Sequence, residues 1–146
     1  MVCLGNICRS PLAEGILKSK ISSVKFFVDS AGTAAFHVGN LPDTRSIQIA
    51  KTNGIDITNQ RARAFSQKDF EDFDYIYAMD RSNYDDIILL ARNQSDISKV
   101  KMILNELQPG ENLEVPDPYY GGSQGFENVY QLLDASCDRI VEKISN

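Results

Sequence analysis

Apolar residues recur near the end of the chain at Phe126, Val129, Tyr130, Leu133, Cys137, Ile140, Val141 and Ile144. That three-and-four spacing gives a C-terminal helix one apolar face. Two short apolar runs, Tyr75–Met79 and Val100–Leu104, have the length of strands. Lys25–Asp29, with Phe26, Phe27 and Val28 at its centre, is β-like as well. Helical patterns cover about Ser10–Lys20 and about Ser82–Ala91. Asp43 suits the cap of a helix ending near Asn53, with Gly54 as its left-handed stop. Ser66–Glu71 reads as a short capped helix, with Ser66 and Asp69 in capping-box spacing. Strand and helix therefore alternate, and alternation predicts an α/β fold: a small parallel four-stranded sheet with helices on both faces. In such sheets ligands bind beyond the C-terminal ends of the strands.

The chain of 146 residues is read as a single domain, 1–146, without internal repeat, low-complexity tract or linker. A net charge of −5 argues against a nucleic-acid binder, which needs a basic face. No transmembrane run or signal peptide is visible, so neither a membrane partner nor export is expected. Three cysteines, an odd number, fit a reducing cytoplasm better than a disulfide framework.

The chemistry concentrates at the start. Cys3-Leu4-Gly5-Asn6-Ile7-Cys8-Arg9-Ser10 places a thiol ahead of an arginine with a small-residue turn between them, and Pro11 suits the first position of a following helix. The backbone N–H groups of such a loop can converge on one centre as an anion nest, reinforced by the helix dipole. Gly5 and Asn6 tolerate the left-handed backbone that a nest requires. Arg9 can hold two oxygens of a tetrahedral oxyanion with its planar fork. Ser10 can cap the helix and also donate to a thiolate. The arrangement describes a thiol nucleophile, Cys3, inside a phosphate-binding loop between strand 1 and helix 1.

The run VCLGNICRSPLAEG resembles the signature of the low-molecular-weight protein tyrosine phosphatases. Asp117-Pro118-Tyr119-Tyr120-Gly121 lies where that family carries its acid loop, and Asp29-Ser30-Ala31-Gly32-Thr33 and Phe73–Asp80 resemble family segments in the expected order. The family usually has a longer apolar run before its cysteine, so the first strand is expected to be shortened here. The family often has a histidine where Gln60 stands, so any role of that histidine is not carried over.

The resemblance implies hydrolysis of phosphotyrosine on proteins through a cysteinyl-phosphate, with no metal or cofactor. Cys3 is then the nucleophile, activated by the helix N-terminus and nearby cations. Arg9 and the loop Leu4–Arg9 hold the phosphoryl oxygens, and Asn6, Ser10 and Ser30 support the loop and the thiolate. Asp117, restricted by Pro116 and Pro118, is the candidate proton donor and later the base that activates water. Ile7, Phe36, Tyr119 and Tyr120 are the candidate walls for a flat aromatic substrate. Cys8 is the candidate redox partner of Cys3, whereas Cys137 is expected in the core and His37 is given no chemistry. Inorganic phosphate should be both product and competitive ligand, and the enzyme a monomer or weak dimer. Three rival readings stand beside this one. Arsenate reductases share the loop but use further cysteines in mid-sequence, and none lies between Cys8 and Cys137. Protein arginine phosphatases typically carry Thr where this loop has Ile7. A non-catalytic phosphotyrosine-binding or redox module would not need Asp117.

Overall fold

The computed structural model describes residues 1–145. Strand β1 (Val2–Cys3) runs through the phosphate loop into helix α1 (Arg9–Lys20), followed by β2 (Ala31–Gly32), α2 (Thr44–Thr52), α3 (Asp69–Asp72) and β3 (Ile76–Ala78). The chain continues through α4 (Arg81–Leu90), α5 (Gln94–Lys99), β4 (Val100–Met102), a 3-10 turn (Ile103–Glu106) and the long α6 (Ser123–Ile144). The four strands form one parallel sheet in the order β2-β1-β3-β4. Val2 pairs with Ala31 on one side and Ala78 on the other, so Cys3 leaves the middle of the sheet at its C-terminal edge.

The pleat divides the core in two. Cys3, Tyr77 and Met79 face α1, α2 and α6, where Leu12, Ile16, Val129, Leu133 and Ile140 pack. Val2, Ile76, Ala78 and Val100 face the other way, onto Phe65, Phe70 and Ile87. Successive strand residues point to opposite faces, so helices cover both sides of the sheet, as the alternation implied. Helix α6 buries Phe126, Val129, Tyr130, Leu133, Cys137 and Ile140, and Cys137 is a core thiol pushed up to about 12 by burial.

Three local expectations are corrected. Lys25–Asp29 is not a strand: it lies in a loop with Phe27 78% exposed, its ring stacked on Phe73 at 5.7 Å. The edge strand is instead Ala31–Gly32, where small residues let the backbones close up. A Cβ on Gly32 would meet the Leu4 carbonyl oxygen at 2.8 Å. Ser10 does not cap α1. The helix begins one residue earlier, with Cys8 at the cap position and no side-chain capping bond. Pro11 is therefore third in the helix, where its missing N–H is still one of the unpaired first four. The Ser66–Asp69 box is half formed, the Ser66 N–H donating to Asp69 Oδ2 at 2.9 Å, and the helix it opens starts at Asp69. Helix α5 and the 3-10 turn had no signal in the pattern.

Candidate active site

Residues Leu4–Cys8 form the turn between β1 and α1, which is held from outside through the Asn6 side chain and the Ile7 and Cys8 carbonyls. Asn6 takes the left-handed backbone, φ 57°, that the nest needs. Gly5 does not, and it serves by close approach instead: a Cβ there would meet His37 Cδ2 at 3.0 Å. Among the described residues, no backbone hydrogen bond takes up the N–H groups of Gly5, Asn6, Ile7 or Cys8. They lie in the turn that leads into the N-terminus of α1, where unpaired N–H groups suit an anion. The Ile7 carbonyl accepts from the Asp43 N–H at 2.8 Å and the Cys8 carbonyl from the Ser46 hydroxyl at 3.2 Å, so α2 braces the loop from behind.

Cys3 is buried beneath this turn, with its sulfur 3.0 Å from the Ser10 hydroxyl oxygen. The neighbours leave the Ser10 proton available for that bond. Asn6 Nδ2 donates both to Ser10 Oγ at 2.8 Å and to Ser30 Oγ at 2.9 Å. Ser30 passes its own proton to Glu14 Oε1 at 2.6 Å. Ser10 therefore has its hydroxyl proton free, and the sulfur is its nearest acceptor; the alternative, the Ala31 carbonyl, lies at 3.5 Å. Asn6 Oδ1 accepts from the Arg63 N–H at 3.0 Å, which orients the amide.

Arg9 is equally determined. Its side chain is 3% exposed, and Nη1 donates to Asp80 Oδ2 at 2.7 Å and to the Val115 carbonyl at 3.0 Å. A buried guanidinium needs such partners. With Nη1 occupied, the Nε–Nη2 edge is the one that can meet an anion, and Nη2 lies 3.6 Å from Asp117 Oδ2. Asp117 Oδ1 accepts from the Tyr119 N–H at 3.1 Å, which leaves Oδ2 turned towards the phosphate loop. Cys3, Leu4, Gly5, Ile7, Cys8, Arg9, Phe36, His37, Asp117, Tyr119 and Tyr120 line one pocket of about 340 Å³. Tyr119 and Tyr120 meet edge to face at 5.0 Å. The Cys8 thiol is pushed up to about 12, mainly by burial and further by the nearby Asp43, Cys3 and Asp117.

The structure thus brings together the sequence candidates Cys3, Arg9, Asp117, Ser10, Asn6 and Ser30, with Ile7, Phe36, Tyr119 and Tyr120 around them. His37, given no role, lines the same pocket. Gln60, in the position where the family often has histidine, donates to the Pro11 carbonyl at 3.0 Å rather than joining the network. Sequence reasoning missed Glu14, Asp80, Asp43 and Arg45. Glu14 carried one usable signal, since a carboxylate set among the small and apolar residues of a buried helix has to find a partner. Asp80 carried another, as a capping residue immediately after a strand.

A family model described as low molecular weight phosphotyrosine protein phosphatase matches residues 1–146. The low molecular weight phosphotyrosine protein phosphatase of Schizosaccharomyces pombe is 45% identical over 141 residues, covering 92% of this chain and 89% of that protein. The human protein of the same name is 40% identical over 147 residues, covering 97% and 92%. Among solved structures, the protein tyrosine phosphatase of Entamoeba histolytica superposes with a TM-score of 0.91 at 37% identity, covering 99% of this chain and 94% of that one. The drosophila arginine phosphatase superposes with a TM-score of 0.89 at 36% identity, covering 99% and 96%. Fold, loop and relatives agree: the chain belongs to the low molecular weight phosphotyrosine protein phosphatase family, hydrolases of phosphoric monoesters that work through a cysteinyl-phosphate.

Proposed function

We propose that Cys3 is the nucleophile, Arg9 and the Leu4–Cys8 backbone the phosphoryl cradle, and Asp117 the proton carrier of a protein tyrosine phosphatase. The observation that carries this reading is that Cys3, Leu4, Gly5, Ile7, Cys8, Arg9 and Asp117 line one pocket, with the Cys3 sulfur bonded to Ser10 and Arg9 beside Asp117. In the first step the Cys3 thiolate forms a bond to phosphorus while the bond to the tyrosyl oxygen breaks in line. Asp117, protonated, gives its proton to the departing phenolate. Charge that spreads over the equatorial oxygens meets the loop N–H groups and the Arg9 fork, donors that are already in place. In the second step the Asp117 carboxylate takes a proton from water, the water oxygen bonds to phosphorus, and the sulfur leaves as thiolate. The Ser10 hydroxyl donates to that sulfur in both directions.

An aromatic substrate is favoured by the walls. Ile7, Phe36, Tyr119 and Tyr120 surround the entrance with apolar and aromatic surface, which suits a phenyl ring better than a guanidinium. The substrates are accordingly tyrosine-phosphorylated proteins, and inorganic phosphate competes at the loop. All three cysteines are unpaired and buried, which suits a reducing compartment, so the cytoplasm is the assigned location. No helix among the described residues is long and apolar enough to cross a membrane. Hydrolysis of an aryl phosphate in chelator-containing buffer, compared between the parent protein and Cys3→Ser, tests the reading. Activity in the parent alone supports it, and full activity in Cys3→Ser contradicts it.

A further inference from the structure

The loop that carries Asp117 has little structure of its own. It leaves the sheet at Val115, whose N–H donates to the Met79 carbonyl, and it joins α6 at Ser123. Between them the one backbone bond among the described residues runs from the Gly121 N–H to the Pro118 carbonyl at 3.0 Å. A carboxylate that must deliver a proton along one line needs better support than that.

The support comes from Arg45, in the first turn of α2. Its Nε and Nη2 donate to the two carboxylate oxygens of Asp43, both at 3.0 Å. Nη2 also donates to the Tyr119 carbonyl at 3.0 Å, and Nη1 to the Gly121 carbonyl at 3.2 Å. The guanidinium carbon lies 4.6 Å from the Phe126 ring centre and 5.6 Å from that of Tyr119. Asp43 is itself anchored, because its N–H donates to the Ile7 carbonyl of the phosphate loop and its side chain caps α2 at the Arg45 N–H. At the other end, Tyr119 offers its carbonyl to Arg45 and its N–H to Asp117. A continuous chain of contacts therefore runs from Ile7 through Asp43, Arg45 and Tyr119 to Asp117.

We propose that Arg45 is a positioning residue for the proton-transfer step, holding the Asp117 loop in register with the phosphate loop. A plain surface ion pair would end at Asp43 and would contribute little. Here the same fork goes on to two main-chain carbonyls of a loop with few bonds of its own, and it is packed against aromatic rings. Lysine, with three donors at a single point, cannot reproduce the four bonds that this fork makes. The inference rests on Asp117 as the acid, so its test measures that assignment alongside.

The experiment is single-turnover phosphorylation of the enzyme by aryl phosphates whose leaving groups span a range of pKa. It compares the parent, Arg45→Met, Arg45→Lys, Asp117→Asn and the Arg45→Met/Asp117→Asn double variant. Loss of a positioned acid slows poor leaving groups far more than activated ones. Arg45→Met should slow poor leaving groups by about 10–100-fold and activated ones by no more than about 3-fold, less than the roughly 10²–10⁴-fold lost when the acid itself is removed. Arg45→Lys should follow it in direction. Residues acting as a unit are non-additive, so Arg45→Met should cost less than about 2-fold in the Asp117→Asn background. Should Arg45→Met not fold, Asp43→Asn, which keeps the cap oxygen and weakens the anchor, should give the same pattern at smaller amplitude. A uniform loss across leaving groups in Arg45→Met, or a fully additive loss in the double variant, overturns the positioning role. A flat profile in Asp117→Asn removes the acid assignment and this inference with it. A steep profile there beside a flat one in Arg45→Met removes the Arg45 role alone.

Discussion

The Ser10 hydroxyl oxygen lies 3.0 Å from the Cys3 sulfur and already receives an N–H from Asn6, so its own proton is available to the sulfur. A hydrogen bond to a charged partner contributes about 1.5–3 kcal/mol. Ser10→Ala should therefore slow phosphorylation of Cys3 by about 10–100-fold while leaving phosphate affinity nearly unchanged, since the loop N–H groups remain. Rapid-quench kinetics together with phosphate inhibition constants check this. An equal loss in both would show that Ser10 holds the loop rather than the sulfur.

Arg9 and Asp80 form the second fixed pair, 2.7 Å apart, with the Arg9 side chain almost entirely buried. Removing one partner of a buried pair leaves an uncompensated charge and costs about 3–5 kcal/mol. Asp80→Ala should lower the melting temperature accordingly, and millimolar inorganic phosphate should restore more of it than in the parent, because the bound anion supplies the missing counter-charge. Melting curves with and without phosphate read this directly. Equal phosphate shifts in parent and variant would separate the Asp80 pair from the anion site.

Ile7 is half-buried and lines the pocket with Phe36 and Tyr119, and we propose that substrate choice turns on it. Phosphotyrosine peptides should be preferred over phosphoserine and phosphoarginine. Replacing Ile7 by Thr removes apolar contact worth about 1–3 kcal/mol, so the preference should fall by about 10–200-fold. Comparable kcat/KM on phosphoarginine in the unmodified protein would favour the activity named for the drosophila relative.

Cys8 carries the redox prediction and its pH dependence. The proposed sequence is that peroxide oxidises the Cys3 sulfur to a sulfenic acid and the Cys8 thiolate then attacks it, closing a disulfide and releasing hydroxide. Burial holds the Cys8 thiol up at about 12. At neutral pH the attacking thiolate is therefore scarce, and its fraction rises about tenfold for each pH unit below that value. Closure should accelerate about tenfold between pH 7 and pH 8, and Cys8→Ala should progress to irreversible oxidation. Peptide mapping and dithiol recovery at the two pH values decide it. A Cys3–Cys137 link, or equal recovery without Cys8, would remove the protective role.

Much of this was legible in the chain because it depends on short-range pattern. Helix α6 follows from apolar spacing, and the helical N-terminus after Cys3 from small residues preceding Arg9 and Pro11. The edge strand was not legible, because its two residues, Ala31 and Gly32, have no β-character. They are selected by close backbone approach to Leu4, while the β-like Phe26 and Phe27 nearby go to a surface loop. Ser10 misled for a related reason: its hydroxyl is taken by Cys3 and Asn6, seven and four residues away, rather than by the helix it opens. Asp80, Glu14 and the Asp43–Arg45 pair meet the site only through tertiary contacts, across 71 positions from Arg9 to Asp80 and 74 from Arg45 to Tyr119. No local pattern encodes such pairs.

The central claim is that the phosphoryl group passes through the Cys3 sulfur. Mixing the enzyme with a ³²P-labelled phosphotyrosyl peptide, quenching within milliseconds and mapping the label tests it most directly. An acid-trappable phosphate should appear on the peptide containing Cys3, without added metal, and should be absent from Cys3→Ser. Label on any other residue, or turnover by Cys3→Ser at the parental rate, would contradict it.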